Sequence, residues 1–299
     1  MENNKTNYIE QKEKISITKK RRQQFRKTFF AKKIVIGAFV LICIMCFLAV
    51  FADFIAPYGN NEQDLTKMLA APSAEHIFGT DQLGRDTFSR IIYGARVSMI
   101  VSIVSTAIAG VIGMGLGLLS GIAGRWIDSV IMRIMDAMMT IPVIILAIFM
   151  GVLFGKGLMN VCICIGIAMV PTYARLTRGL VLQIKQLDYV TASVISGSKP
   201  VKVALKHILP NCLPALIVLM TMNLGAAIMI EAGLSYLGIG VVPPDSSWGY
   251  LINYGRTWLN AKPYMSIAPG IFIILTAWAF NICGDALRDA LDPKLRGRL

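Results

Sequence analysis

The sequence predicts an all-α membrane protein with six transmembrane helices. The chain of 299 residues is 55% hydrophobic and only 16% charged, with a mean hydropathy of +0.62, whereas soluble domains are about 25% charged. Its apolar residues lie in six blocks that are almost free of charge, each 18 to 28 residues long. About 20 residues of helix cross the hydrocarbon core of a bilayer, so each block is near or above the length that spanning requires.

The six candidate spans are the blocks at residues 34–52, 97–124, 137–155, 157–174, 207–230 and 263–284. The first block follows 33 residues of polar, basic sequence, and no A-x-A cleavage site follows it. We therefore interpret it as a retained helix and not as a signal peptide.

Lysine and arginine are distributed unevenly between the two sides of the membrane. If the N-terminus is inside, the inner segments hold 23 of the 30 basic residues; these segments are 1–33, 125–136, 175–206 and 285–299. The positive-inside rule then places both termini in the cytoplasm. The net charge of +13 thus reflects topology, and we interpret the basic stretch at 19–27 as an anchor for anionic lipid, not a nucleic-acid site.

The same topology divides the chain into a tail and one membrane domain. Residues 1–33 form a basic cytoplasmic tail, for which many charges and no apolar periodicity predict disorder. Residues 34–299 form the six-span domain, with external loops at 53–96 and 231–262 and a long cytoplasmic loop at 175–206.

Small residues recur every four positions in the second span. They are Ala109, Gly113, Gly117 and Gly121. This spacing predicts a groove on one helix face that suits close helix packing. A helix that lines or pivots a pathway is the alternative interpretation.

Ionisable residues are scarce inside the spans. Asp128, Arg133 and Asp136 form a cluster near the inner end of the third span, where both aspartates are expected to pair with Arg133. No carboxylate or histidine is evident near mid-membrane, which disfavours an ion-coupled secondary transporter. We also predict no metal site, because two histidines in total make a histidine-based site improbable.

The first external loop ends in the stretch HIFGTDQLGRDTFSRIIYGARVS, residues 76–98. Thr80 or Asp81 is expected to cap a helix that lies along the membrane surface, with Phe88, Ile91, Ile92 and Ala95 on one face. Arg85 and Asp86 would orient the loop. In the second external loop, Pro243-Pro244 and Trp248 predict either a rigid docking surface or an interfacial anchor.

The stretch DYVTASVISGSKPVKVALKHILPN, the 188–211 segment, is polar and rich in lysine. Gly197 suits the left-handed residue that ends a helix. Ser198 is expected to cap a second helix with Pro200 in its first turn, and that helix is expected to end at Leu209 before Pro210. From the residues alone, a membrane-surface helix and a docking element for a cytoplasmic protein remain equally open.

The spacing T-A-S-x3-G-x9-H-x-L-P at 191–210 resembles the EAA loop of ABC-importer permeases, E-A-A-x3-G-x9-I-x-L-P. Tyr189-Val190 and the run HILPN at 207–211 are similar to the C-type permease of the dipeptide, oligopeptide and nickel importers. Further stretches similar to that subfamily lie at 78–90, 234–249 and 284–296. The resemblance covers about residues 30 to 299. Thr191 stands where the family has Glu, and Ser193 where it has the second Ala.

The resemblance implies a permease subunit whose EAA loop docks in a cleft of an ATP-binding subunit. The residues that it assigns to this coupling are Tyr189, Ala192, Ser193, Gly197, Lys199, Lys202, His207 and Pro210. His207 alternatively bonds only to backbone, and Thr191 lacks any charged contact that a Glu would make. The external motif that it assigns consists of Gly79, Asp81, Gly84, Arg85, Asp86 and Arg90.

The resemblance also implies the partners and the location. The expected partners are a homologous second permease, two cytoplasmic ATPases, an external substrate-binding protein and membrane lipid, in a bacterial or archaeal plasma membrane. ATP would be used by the partner subunits, and no cofactor and no catalytic residue are expected in this chain. The expected cargo is di- or oligopeptides, with nickel or metal chelates and glutathione as alternatives. A secondary transporter and a membrane scaffold are the alternatives from other classes.

The chain lacks recognisable enzyme motifs. The stretch GVLFGKG at 151–157 has one residue too few between its glycines for a P-loop, and no Ser or Thr follows its lysine. We therefore predict that the chain is a transport subunit and not an ATPase.

Overall fold

The computed structural model describes residues 23–291, and the regular structure within that range is helical apart from one isolated antiparallel bridge between Thr80 and Asp86. We number its helices of eight residues or more in chain order. They are α1 (Lys33–Val50), α2 (Thr87–Ile122), α3 (Arg125–Met139), α4 (Val143–Phe154), α5 (Leu158–Ile184), α6 (Asp188–Ile195), α7 (Leu209–Tyr236), α8 (Trp248–Gly255) and α9 (Tyr264–Leu291).

Five of these helices, α1, α2, α5, α7 and α9, are long and apolar enough to cross a membrane. A sixth crossing exists only if α3 and α4 count as one span, and they are bent by 95° relative to each other. The all-helical membrane class is thus confirmed, but the span predicted at 137–155 is not one helix. Pro142 is the N-cap of α4, and the residue before a proline disfavours helical backbone, so α3 stops short of it.

The described part of the basic tail differs from the prediction of disorder. Residues 23–29 form a short helix, and Phe29 from it packs against a cluster that includes Ala38 of α1 and Ala279 of α9. Residues 1–22, which include the first four residues of the basic stretch at 19–27, lie outside the described residues. Apolar side chains in the tail therefore order its last turns against the membrane helices.

Helix α2 has 36 residues, a length of about 54 Å, whereas the hydrocarbon core is about 30 Å thick. It begins at Thr87 and continues without a break into the second predicted span. The separate surface helix predicted between 76 and 98 is therefore wrong. Ile91, Ile92 and Ala95 are fully buried because this N-terminal end of α2 packs inside the protein.

The small-residue face of α2 receives α5, and this is the most extensive helix pair in the described structure. A Cβ atom added to Gly113 would lie 2.5 Å from the Cβ of Tyr173, and one added to Gly117 would lie 2.6 Å from the Cβ of Thr177. One added to Gly121 would lie 2.5 Å from a Val181 methyl. The two backbones approach so closely that only glycine fits.

The remaining helices surround this pair. Helix α7 contacts both α2 and α9, and α1 packs against α2 and α9 on the other side. The short helix α8 lies between α7 and α9 and buries Trp248 and Leu251. This arrangement brings the two ends of α7 to the two candidate sites described next.

Candidate functional site

The 188–211 segment consists of two helical pieces that meet at a glycine turn. Helix α6 ends at Ile195, and Gly197 has the predicted left-handed backbone with φ of +81°. The second piece runs from Pro200 through a π-helical stretch, Ala204–Ile208, directly into α7. The glycine turn is confirmed, and the segment is a continuous extension of a membrane helix.

Two details of the predicted segment are wrong. The N-cap position of the second helix is Lys199, which makes no side-chain capping bond, and not Ser198, because the residue before Pro200 adopts extended backbone. The helix also does not end at Leu209, which has helical backbone and begins α7. The wider π turn accommodates Pro210, whose ring would otherwise collide with a carbonyl in the preceding turn.

The segment presents apolar side chains that nothing in the described chain covers. Ile195 is 81% exposed and Val201 is 68% exposed, on opposite sides of the Gly197 turn. Ala192, Lys199 and Lys202 are also exposed, and Ser193 is partly buried. A Cβ added to Gly197 would meet no atom within 4 Å. The turn is therefore a protruding surface, partly apolar and partly basic.

The remaining residues of the segment tie it to α7. The side-chain amide of Asn211 donates to the Tyr189 hydroxyl at 3.1 Å and to the His207 carbonyl at 2.6 Å. The rings of Tyr189 and His207 meet edge to face, with centroids 6.2 Å apart. Tyr189 and His207 thus bond within the segment, and a displacement of α6 would be transmitted to the start of α7.

A second cluster of charges lies at the opposite end of the molecule, in the external motif. The Asp81 carboxylate accepts bonds from Arg85 Nε and Arg90 Nη1, both at 2.7 Å, and all three side chains are buried. Arg90 also donates to the Ser246 hydroxyl at 3.2 Å. A buried carboxylate that bonds two guanidinium groups holds both of them in place, because each buried charge needs a partner.

The other aspartate of the motif has a different role from the predicted one. Asp86, and not Thr80 or Asp81, caps α2, since its carboxylate accepts the backbone N–H of Ser89 at 2.7 Å. The other oxygen of this carboxylate is hydrogen-bonded to Nδ1 of His76 at 2.9 Å. Arg85 pairs with Asp81 and not with Asp86, so the motif contains two adjacent hydrogen-bond networks.

Two glycines let the loop fold tightly around these networks. Gly79 has φ of +65° and Gly84 has φ of +71°. A Cβ at Gly79 would overlap the carbonyl of Ala70, and one at Gly84 would overlap the carbonyl of Asp64. Both the backbone conformation and the space therefore require glycine.

Trp248 is neither an exposed docking residue nor an interfacial anchor, which corrects the prediction. It is 0% exposed, and its indole N–H donates to the Ile91 carbonyl at 2.9 Å. Gly94 of α2 lies against its ring, where a Cβ would come within 2.8 Å. Trp248 therefore fixes the chain between α7 and α9 to the N-terminal end of α2.

Glu231 is a buried carboxylate that the sequence analysis missed. It is 0% exposed and lies inside α7, not in the external loop that was expected to begin there. Its oxygens accept bonds from Ser98 at 3.0 Å and Ser235 at 2.7 Å, and Ser247 also bonds to it. Its position one residue beyond an apolar block was the available signal. Three hydroxyl donors compensate for the burial, and they join α2, α7 and the start of α8.

The predicted pairing near the third span is also wrong. Asp128 bonds Arg178 of α5 through both oxygens at 2.6 Å, and Asp136 bonds Arg175. Arg133 pairs with neither aspartate in the described structure. The bend before α4 places α3 against α5, so these aspartates meet arginines from another helix. No group of three metal-ligating side chains is found among residues 23–291.

Comparison with known families identifies the chain. Residues 113–297 match the binding-protein-dependent transport system inner membrane component, and residues 20–72 match the N-terminal transmembrane domain of oligopeptide transport permease C. The first match covers more than half of the chain. The chain belongs to the permease family of ABC importers. This permease is a multi-pass membrane protein, and its relatives are transport permeases.

Three relatives cover most of the permease. The dipeptide transport system permease protein DppC of Bacillus subtilis is 42% identical over 261 residues, which are 87% of this chain and 81% of that protein. The probable D,D-dipeptide permease DdpC of Escherichia coli K12 is 40% identical over 259 residues, 87% of each chain. The glutathione permease GsiD of Pectobacterium atrosepticum is 38% identical over 275 residues, 92% of this chain and 91% of that protein.

Solved structures support the fold. The inward-facing MetNI methionine ABC transporter matches with a TM-score of 0.57 and 20% identity, over 68% of this permease and 96% of that chain. At this identity the likeness concerns the fold alone.

Proposed function

We propose that this permease translocates di- or oligopeptides across the plasma membrane, driven by separate ATPase subunits that dock on the 188–211 segment. The observation that carries this proposal is the protruding turn at Gly197, with Ile195 and Val201 exposed on its two sides. Exposed apolar side chains on a cationic turn favour burial in a partner.

The surface chemistry favours a protein cleft over a membrane surface. A membrane-bound helix needs one continuous apolar face, whereas here the apolar side chains lie on either side of a sharp turn. A cleft that receives both sides would need to be apolar at its base and acidic at its rim, where it meets Lys199 and Lys202. Thr191 carries no charge, so docking would rest on these contacts and not on a Glu at that position.

The link to α7 supplies the mechanism. ATP-driven closure of two ATPases would displace the segment, and the Tyr189–Asn211 bond together with the unbroken π turn would carry that movement into α7. Movement of α7 would open the translocation pathway, which would lie at the interface with a homologous second permease. The permease itself would bind no ATP and no cofactor, both termini would lie in the cytoplasm, and an external binding protein would deliver the cargo.

Peptides are the favoured cargo because relatives named for dipeptide and D,D-dipeptide transport are 42% and 40% identical to this chain. Glutathione is the second candidate, because the relative named for glutathione transport covers 92% of the chain. Uptake of a labelled dipeptide by cells with and without the gene, in competition with glutathione, distinguishes the two cargoes. Loss of uptake on ATP depletion, with the ion gradient maintained, distinguishes both from a secondary transporter.

Docking is tested by crosslinking in the assembled transporter. In a background without the native cysteines, single cysteines replace Lys199 or Lys202, and Ser129→Cys on α3 serves as a control at the same end of the molecule. We expect an ATP-sensitive crosslink between the first two positions and the ATPase subunits, and none from the control. Labelling by lipid probes at Lys199→Cys and Lys202→Cys without any ATPase crosslink would contradict the proposal.

A further inference from the structure

Helix α3 has three distinct sides. One side packs on α5 and α2 through Ile131, Met135 and Met138. A second side is an apolar stripe that the described chain leaves uncovered; it consists of Trp126, Ile127, Val130 and Ile134, and Trp126 is 81% exposed. The third side faces α5 across a groove of charged residues. An apolar stripe beside a charged groove is typical of a helix at a membrane interface.

The groove between α3 and α5 is open to the surface and has a volume of about 460 Å³. Its charged lining consists of Arg125, Arg133, Arg175, Arg178, Asp128 and Asp136. The two aspartates are already paired with Arg175 and Arg178. Arg125 and Arg133 have no acidic partner within 4.0 Å among residues 23–291, so the groove carries an excess positive charge of two.

We infer that this groove binds the headgroup of an anionic phospholipid. A guanidinium group matches a phosphate with two parallel N–H donors, and Arg125 and Arg133 both line the cavity. The apolar stripe of α3 lies next to the groove and supplies a surface for the acyl chains. A soluble anion would use the arginines but would leave this stripe uncovered.

The excess positive charge of the groove fits an anionic lipid of the cytoplasmic leaflet. Basic pockets between membrane helices on the cytoplasmic side recognise anionic headgroups, and the groove lies at the end of α5 that leads into the 188–211 segment. The inference needs only that the chain lies in a bilayer with this end of α5 on the cytoplasmic side. It is therefore independent of the solute that the permease carries.

The test is native mass spectrometry of the full-length permease, extracted with the subunits that accompany it and exposed to equal amounts of phosphatidylglycerol and phosphatidylcholine. The variant R125Q/R133Q removes the two unpaired charges, and R125K/R133K keeps them. The matched control K33Q/K185Q removes two exposed lysines that lie outside both the groove and the 188–211 segment. All four residues are exposed. Circular dichroism of each variant serves as the check that it is folded.

We expect the wild type to retain phosphatidylglycerol in preference to phosphatidylcholine. Each basic residue near a membrane contributes roughly a fivefold preference for anionic lipid. R125Q/R133Q should therefore lower the preference at least tenfold, while K33Q/K185Q should retain it and R125K/R133K should retain most of it.

Two results would overturn the inference. One is an equal loss of preference in R125Q/R133Q and K33Q/K185Q, which would indicate general charge attraction. The other is the absence of retained lipid in the assembly together with loss of a protein subunit from R125Q/R133Q, which would indicate that an acidic partner protein occupies the groove.

Discussion

Replacing Gly117 with alanine tests the close approach of α2 and α5. The added methyl would lie 2.6 Å from the Cβ of Thr177 and 3.0 Å from the amide nitrogen of Arg178, and it would also overlap the carbonyl of Ala174. Gly115 offers a matched control on the same helix, because a Cβ there meets nothing within 4 Å. Both substitutions change the same residue type within one turn.

The expected magnitude follows from these distances. Ordinary contact begins at 3.4 Å, so a carbon at 2.6 Å is about 0.8 Å too close and the helices must separate by a similar distance. A gap of about 0.5–1 Å forfeits a quarter to a half of the dispersion attraction at each contact, and overpacking in cores costs about 1–3 kcal/mol. Alanine gains about 1 kcal/mol of helix propensity at both positions, so this gain cancels in the comparison.

We therefore expect Gly117→Ala to have a free energy of unfolding about 1–3 kcal/mol below that of Gly115→Ala. The assay is reversible unfolding in mixed micelles with increasing sodium dodecyl sulfate, followed by circular dichroism at the helical minimum. Equal stability of the two variants would refute the reasoning, because it would mean that α5 does not lie against this face of α2.

Three further substitutions follow from the other sites. Asp81→Asn leaves the buried guanidinium groups of Arg85 and Arg90 without a carboxylate, and the expected cost of about 3–5 kcal/mol should appear as faster limited proteolysis of the external loop; wild-type protection would contradict it. Glu231→Gln places an amide N–H₂ against serine donors, so the unfolding free energy should fall by about 1–3 kcal/mol in the same micelle assay. An unchanged value would mean that the carboxylate accepts no bonds from these serines. Gly197→Ala has open space but the wrong φ, which costs about 1–2 kcal/mol; it should reduce ATP-driven uptake about 5- to 30-fold at normal expression, and normal uptake would show that the turn is not needed.

The local features that the sequence predicted correctly depend on local rules. Gly197 takes the left-handed conformation because glycine lacks a Cβ that would oppose it. The apolar blocks became helices because backbone groups in a bilayer must bond within their own segment. Both requirements are visible from composition and spacing.

Several of the errors concern contacts between distant parts of the chain. Trp248 and Ile91 are 157 residues apart in sequence, so no local pattern could show that the tryptophan is buried against α2. Asp128 and Arg178 are 50 residues apart, and the nearer Arg133 was the obvious partner by spacing. Glu231 was missed because its three serine partners come from α2, α7 and the residue before α8.

By itself the sequence determined the class of the protein, the apolar blocks that enter the membrane, and the resemblance of the 188–211 segment to a permease loop, because hydropathy and glycine geometry act over short stretches. Only the tertiary structure decided that the third span is broken into α3 and α4, that α6 is tied to α7 through Tyr189 and Asn211, and which buried charges pair. Those outcomes depend on which helices pack together, and packing brings into contact surfaces that are far apart in the chain.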